Sequence, residues 1–241
     1  MLQIATISWN NLKFTQDFVN SLKFVDERYS LYIWDNGSTD GTLDWLREFD
    51  KDVENNYEKF PKMMSFYYNH SESNVGQCIP WNWSLSFFEQ IDHDIIYLCN
   101  NDIRFTSTIN RLPKFIRENT QYGMICPAML PRTTPLDNLE EEAERYCDNN
   151  KDKLDIGGLE GPLMAIPKHA FEEIGFYDEQ FQFSFEDMDY HQRAHKAGFK
   201  TAVYHNSCVW HFGGASTKNK EIGSIEKGTN IYYERFQKKH G

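Results

Sequence analysis

Short apolar runs at Gln3–Ser8, Leu31–Trp34, Ser65–Tyr68 and Ile95–Cys99 read as strands. The stretches between them, Phe14–Leu22, Thr42–Phe49 and Ile79–Phe88, carry helical apolar spacing or a capping signal at their start. Strands that alternate with helices predict an α/β fold with a mostly parallel sheet and crossover helices on its faces. The second half is less regular. Pro131–Leu154 is polar and acidic, with Pro131 and Pro135, and is expected to be a mobile excursion over the site. After it the pattern predicts a strand at Leu163–Ile166, a helix over Lys168–Ile174, a helix over about Glu186–Ala197 and a strand at Thr201–Tyr204. There is no repeat and no low-complexity segment.

In open α/β sheets ligands bind beyond the carboxyl ends of the strands, so polar residues placed right after strands are the candidates for chemistry. Three such places follow predicted strands: Trp9-Asn10, the segment Asp35-Asn36-Gly37-Ser38-Thr39-Asp40-Gly41, and Asn100-Asn101-Asp102. A tight turn with Thr39 or Asp40 as helix N-cap accounts for Asp40, Gly37 and Gly41 without a ligand. It gives no reason for Asp35, whose carboxylate is suited to a base imide N–H or a ribose hydroxyl. Asp102 can give a hard cation one oxygen, as Mg²⁺ and Mn²⁺ sites that use substrate phosphates require, although Asn and Asp are also ordinary turn formers.

Further on, Ser184-Phe185-Glu186-Asp187 reads as a capping box with Ser184 as N-cap and Asp187 reaching back. Glu186, Asp187 and Asp189 nevertheless crowd three carboxylates into four residues, more than capping needs. Mutual repulsion there raises the proton affinity of one of them, which suits a general base. His211 stands before the paired glycines Gly213-Gly214, where backbone can approach a ligand. The other seven histidines read as structural or solvated. No Gly-Lys-Ser/Thr follows these glycines, so they are not a phosphate-binding P-loop.

Composition narrows the class. With 241 residues and 40% hydrophobic content the chain can bury one sizeable core, and one domain is expected. A net charge of -11, from 36 acidic and 25 basic residues, sets the overall field against a phosphate backbone, so nucleic acid is a poor partner. Five scattered cysteines without a Cys-x-x-Cys pair read as reduced thiols, without disulfides or structural zinc, in a cytoplasmic protein. Met1 leads directly into the first strand, so no signal peptide is expected, and the apolar runs fall far short of the roughly 20 residues a membrane span needs. Aromatics make up 15% of the chain; most are expected in the core, with rings to spare for stacking on a base or sugar.

Taken in order, Ile7-Ser8-Trp9-Asn10-Asn11, Asp35 to Gly41, Asn74-Val75-Gly76, Asn100-Asn101-Asp102, Gly157-Gly158, Glu186-Asp187-Met188-Asp189 with Arg193 and Gly198, and His211 with Gly214 and Ser216 resemble the family 2 glycosyltransferases. They are most similar to the small members akin to rhamnosyl- and galactofuranosyltransferases. The resemblance spans residues 3–216. It implies the A-type glycosyltransferase fold, with a nucleotide-sugar-binding half over about residues 1–102, an acceptor and catalytic half over about 103–216, and a C-terminal helix over 217–241.

The resemblance also implies inverting transfer from a nucleotide diphosphate sugar to a glycan, lipid-linked or small-molecule acceptor, with Mn²⁺ or Mg²⁺. Asp35 would hold the base or ribose, and Ser8, Asn10, Gly37, Ser38, Asn74, Gly76, Asn100 and Asn101 would line the nucleotide site. Asp102 takes the metal place of the Asp-x-Asp motif, with His211 as second metal or diphosphate contact. Asp187 would be the catalytic base, Glu186 would serve catalysis or the acceptor, and Gly157 and Gly158 would line the acceptor site. Asn100 departs from the pattern: many relatives carry aspartate there, so the metal has one carboxylate fewer. Two other classes stay open: a sugar nucleotidyltransferase, against which the absence of glycine in Thr6–Lys13 counts, and a catalytically silent binding protein on the same scaffold.

Overall fold

Strand residues of the first half sort by parity. Ile4, Leu31, Ile33, Ile95 and Tyr97 pack into one apolar cluster, and Ala5, Tyr32, Ile96 and Leu98 into another. A strand apolar at both parities is buried on both faces, which is the situation of a parallel sheet covered by helices on each side. The computed structural model describes residues 1–158, 161–214 and 222–241. In it β1 (Leu2–Ser8), α1 (Leu12–Ser21), β2 (Tyr29–Asp35), α2 (Thr42–Asn55), β3 (Met63–His70), α3 (Cys78–Gln90) and β4 (Ile95–Asn100) alternate as the pattern predicts. The four strands pair in parallel in the order β3-β2-β1-β4.

The second half continues the same sheet. It consists of β5 (Ile103–Phe105), α4 (Arg111–Glu118), β6 (Tyr122–Leu130), α5 (Leu139–Asn150), β7 (Leu154–Ile156), β8 (Leu163–Pro167), α6 (Lys168–Ile174), α7 (Glu186–Lys196), β9 (Lys200–His211) and α8 (Ile222–His240). β8 runs antiparallel between β4 and β6, β9 lies parallel to β6, and β5 and β7 pair antiparallel with β9. Thus β3, β2, β1, β4, β6 and β9 share one direction and present their carboxyl ends along one edge. Helices α1, α2 and α4 cover one face through Phe18, Leu46 and Leu112. The other face carries α3, α5, α6, α7 and α8 through Leu85, Ala143, Phe171, Tyr190 and Phe236.

Four expectations need correction. Pro131–Leu154 is not a bare excursion: α5 lies within it and buries Leu139, Ala143 and Cys147, a stripe one residue wide that its acidic remainder obscured. The last strand runs to His211 and does not stop at Tyr204. Its register against β6 jumps between Pro127↔Tyr204 and Ala128↔Cys208, so the polar His205-Asn206-Ser207 loops out as a bulge. β6 goes unpredicted: Gly123 and Pro127, residue types that commonly interrupt strands, sit in buried strand, each at one of the two places where its register against β9 shifts. Neither expected helix cap forms as drawn. Gly41, at φ 89°, precedes α2, while Asp40 accepts the Thr42 N–H at 3.2 Å and hydroxyl at 2.6 Å. Before α7 the capping residue is Phe185, at φ 69° and without a side-chain cap bond, so Ser184 is a residue too early.

Candidate active site

Three loops at the carboxyl ends of β1, β2 and β3 are stitched together mainly by neutral side chains, with the Asp40 carboxylate also accepting the Leu12 N–H at 2.8 Å. Asn10 adopts φ 50°, a left-handed conformation that Asn tolerates better than most residues. Its Oδ1 accepts the Thr39 N–H at 2.7 Å, and its own N–H donates to Ser38 Oγ at 2.9 Å. Asp35, 1% exposed, accepts the Ser38 N–H at 3.1 Å. Asn36 does the most work: its Nδ2 donates to Asn74 Oδ1 at 3.0 Å and to Gly76 O at 2.9 Å, and its Oδ1 accepts the Val75 N–H at 2.9 Å. Two glycines are obligatory in this packing. A Cβ on Gly37 would lie 2.6 Å from Ser73 Cα, and one on Gly76 would lie 2.2 Å from Gln182 O, both at positive φ. Ser8 points into the core, sharing a hydrogen bond of 2.7 Å with Thr15, whose hydroxyl accepts from Asn101 Nδ2 at 3.0 Å.

These loops wall a cleft of about 260 Å³ lined by Ile7, Trp9, Asn36, Asn74, Gly76, Gln77, Trp81, Cys99, Asn100, Asn101, Asp102, Phe183 and Gly214. At its β4 end Asp102 Oδ1 lies 3.1 Å from His211 Nε2. The sheet fixes this meeting: Ile103 pairs with His211 across β5 and β9, and the Phe212 N–H donates to Asp102 O at 3.0 Å. Phe212 is then held between Phe14, at 4.7 Å between ring centroids, and the Arg132 guanidinium, at 3.9 Å from the ring. Nearby Arg104 pairs with Asp17 at 2.8 Å; burial lowers its proton affinity while Asp17 and Asp102 pull it back up. Among the described residues no three His, Cys, Asp or Glu side chains converge as a metal site.

The opposite wall leads to α7. The Gln77 N–H donates to Gln182 O at 2.7 Å and Cys78 Sγ to Phe181 O at 3.2 Å, binding the first turn of α3 to the segment that enters α7. Asp187 is half-buried, and its Oδ1 accepts the Met188 N–H at 2.7 Å instead of reaching back to a cap. Its Oδ2 lies over Gly161, where an added Cβ would sit 3.7 Å away. Burial and then the charge of Glu186 push the Cys78 thiol up. Asp189 is fully buried and takes Arg193 Nε at 2.8 Å, Lys239 Nζ at 2.6 Å and His240 Nε2 at 2.8 Å. Burial alone would raise its carboxyl, but the hydrogen bonds from Lys239, His240 and Arg193 outweigh it and hold the group below the usual carboxylate range. So the third carboxylate of the cluster clamps the end of α8 to the start of α7.

The structure therefore brings Asn74, Gly76, Asn100, Asn101 and Asp102 to the cleft, with His211 beside Asp102. Asn10, Asp35, Gly37 and Ser38 hold the loops behind it. Gly157 and Gly158 do not line it: the Gly157 N–H donates to Thr201 O at 2.8 Å, and the pair carries the chain off β7. Ser216 lies outside the described residues, as do 217–221 of the expected C-terminal helix. Sequence reasoning missed Asn36 as organiser and Gln77, Trp81 and Phe183 as walls. Asn36 could have been found, since it is the strand-end residue next to Asp35; Trp81 could not, because it reads as an ordinary core position of α3.

No protein-family model and no curated protein matches the sequence. Solved structures do match. The chain is similar to S. aureus TarS 1–349 at 16% identity and TM-score 0.62, over 88% of this chain and 60% of that one. The same TarS fragment in complex with UDP-GlcNAc matches at 16% identity and TM-score 0.62, over 92% and 61%. The mannosyltransferase PcManGT from Pyrobaculum calidifontis, in complex with GDP-Man and Mn²⁺, matches at 13% identity and TM-score 0.65, over 89% and 57%. This chain spans about three fifths of the length of these structures. It has the fold of the A-type glycosyltransferases, an α/β architecture with a mostly parallel sheet. No helix among the described residues is long and apolar enough to cross a membrane.

Proposed function

We propose that the chain transfers a sugar from a nucleotide diphosphate donor to an acceptor hydroxyl in one inverting displacement. The observation that carries this is the meeting of Asp102 and His211, distant in sequence, 3.1 Å apart beside a cleft at the carboxyl ends of parallel strands. The fold supports it, as do the GDP-Man and UDP-GlcNAc complexes of the neighbours.

Asp102 and His211 fit a divalent cation that shares its coordination with phosphate. One carboxylate oxygen and one imidazole nitrogen are too few to retain Mg²⁺ or Mn²⁺ alone, but such ions commonly take one or two protein ligands and fill the remainder with phosphate and water. A cation bound there would offset negative charge on the leaving diphosphate. The protein's own contribution is placement. Asn10, Asp35, Gly37 and Ser38 would shape the base and ribose pocket, with the Ser8–Thr15–Asn101 chain stiffening its floor. Asn74, Gly76, Asn100 and Asn101 would line the diphosphate, and Asp187 would take the proton of the acceptor hydroxyl. Glu186 would serve the acceptor side, while Gly157 and Gly158 lie off the cleft at the end of β7. The acceptor is a glycan, a lipid-linked glycan or a small polar molecule, in keeping with the acidic surface, and five buried free cysteines suit a cytoplasmic location.

A thermal-shift screen of UDP, GDP and their sugars with and without Mn²⁺ tests this, because a ligand that binds only the native state raises the melting temperature. At least one nucleotide is expected to stabilise the protein more with the metal. If none shifts the transition at millimolar concentration, the transferase assignment is wrong.

A further inference from the structure

A second cavity, of about 750 Å³ and larger than the cleft, opens between α1 and α2, on the sheet face opposite α7. It extends to the amino ends of the strands, since Tyr29 begins β2 and Lys62 stands just before β3, whereas the cleft lies at their carboxyl ends. The two cavities share no lining residue.

The lining of the second cavity sorts by burial into two chemistries. Val19, Leu22, Val25, Tyr29 and Phe49 are buried, with Trp45 and Phe60 half-buried beside them. Trp45 stacks on Phe49 at 5.2 Å between ring centroids and Phe60 meets Phe49 edge-on at 5.4 Å, which makes this side a broad apolar wall. The exposed lining residues are Lys13, Lys23, Lys59 and Lys62, with the uncharged Asn20 and Pro61. Asp52 is the one carboxylate in the lining, and Lys59 already pairs with it at 2.9 Å. Lys13 pairs with Asp17 at 2.5 Å, while Lys23 and Lys62 have no carboxylate partner among the described residues. This basic rim belongs to a chain whose net charge is -11.

Four cations around an apolar recess match an amphiphile with an anionic head. Its apolar chain lies against the aromatic wall, and its phosphate sits among ammonium groups whose stems run along apolar surface. Nucleic acid would leave the wall uncovered, and an uncharged lipid would leave the lysines without a counter-charge. We propose that the α1–α2 groove is a membrane-docking site that takes an acyl chain of an anionic phospholipid and holds its phosphate with Lys23 and Lys62. The site goes beyond the transferase assignment and does not depend on it.

Co-sedimentation of the full chain with vesicles tests it, using phosphatidylglycerol mixed with phosphatidylcholine against phosphatidylcholine alone. The proteins compared are wild type, Lys23→Gln/Lys62→Gln, and a control, Lys114→Gln/Lys151→Gln, at exposed positions outside the groove. Wild type and control should bind the anionic vesicles, more weakly as salt rises, and bind phosphatidylcholine about tenfold less or worse. At roughly fivefold per lysine, the groove variant should bind the anionic vesicles about tenfold more weakly or worse. Trp45 is the one tryptophan in the groove. Phosphatidylglycerol brominated on its acyl chains should therefore quench wild-type tryptophan fluorescence, and Trp45→Phe should lose most of that quenching while still sedimenting. Failure of wild type to sediment with anionic vesicles, or equal losses in the groove and control variants, would overturn the site. Quenching that survives Trp45→Phe would overturn it too. Binding of an oligonucleotide duplex that the groove variant loses, without vesicle binding, would assign the groove to nucleic acid and overturn it likewise.

Discussion

The two walls of the cleft are built from different chemistry. On one side, loops after β1, β2 and β3 are joined chiefly by amides and hydroxyls, Asn10 to Thr39, Asn36 to Asn74 and Gly76, Ser8 to Thr15, with the Asp40 carboxylate on the Leu12 N–H. On the other side, the start of α7 is secured through charge, by Asp189 buried against Arg193, Lys239 and His240, with Asp178 also on Lys239 at 2.7 Å. Neutral hydrogen bonds do not titrate between pH 3 and 9, and their strength hardly depends on salt. A buried charge cluster is worth most when complete and becomes a liability when one partner is lost. The β1–β3 wall is thus a largely neutral frame, with the Asp40 carboxylate bridging two of its loops, and the α7 wall is held by a clamp that pH can release.

The largest effect should come from breaking that clamp. Asp189→Ala leaves Lys239, His240 and Arg193 without their carboxylate and is expected to cost about 3–5 kcal/mol of unfolding free energy at pH 7, read by urea denaturation. The pH dependence has a definite sign. Because the folded-state carboxyls of Asp189 and Asp178 are held below their unfolded values, their stabilisation is present above the unfolded range near pH 4 and is lost as pH falls through the lower folded values. The gap between wild type and Asp189→Ala should therefore close on acidification. A gap that stays constant from pH 7 to pH 3 would contradict the clamp.

Asp187→Asn tests function on the same wall. An amide cannot accept the acceptor's proton, so turnover should fall by about 10²-fold or more, while donor affinity stays unchanged and stability shifts by at most about 1 kcal/mol. Near-wild-type turnover in this variant would remove Asp187 from the chemistry. On the β1–β3 wall, Gly76→Ala drives a methyl group into Gln182 O at a positive φ. A loss of about 2 kcal/mol is expected, together with weaker nucleotide binding; a melting curve superposable on wild type would show that this wall yields more easily than its packing implies. Glu186→Gln should have the smallest effect. It is expected to raise the acceptor KM severalfold at little cost in kcat, and a dead enzyme would move the base from Asp187 to Glu186.

What the sequence revealed follows the same division. β1 to β4 were legible because parallel strands buried on both faces are continuous apolar runs, and the polar residues at their ends stand out against them. Asp35 and Asn100-Asn101-Asp102 lie at strand ends as expected. β9 is cut short in the pattern by its polar bulge at 205–207, β6 is masked by Pro127, and α5 fully buries only Leu139, Ala143 and Cys147. The carboxylate cluster was visible, but not the division of labour within it. Asp189 turns inward to partners on α8, some fifty residues away, a separation that no local pattern encodes. Trp81 was illegible for the opposite reason: its local pattern is that of any core residue, and only the closed fold shows its N–H without a partner.

The central claim is that Asp102 and His211 bind a divalent cation together with a nucleoside diphosphate. Calorimetric titration of UDP and GDP into wild type and Asp102→Asn, each with Mn²⁺ and with EDTA, tests it most directly. At least one nucleotide should bind wild type tenfold or more tightly with Mn²⁺, a difference of about 1.4 kcal/mol, and Asp102→Asn should abolish most of that difference while Mn²⁺ alone binds weakly to both. Affinity indifferent to EDTA, or a metal effect that survives in Asp102→Asn, would contradict the account.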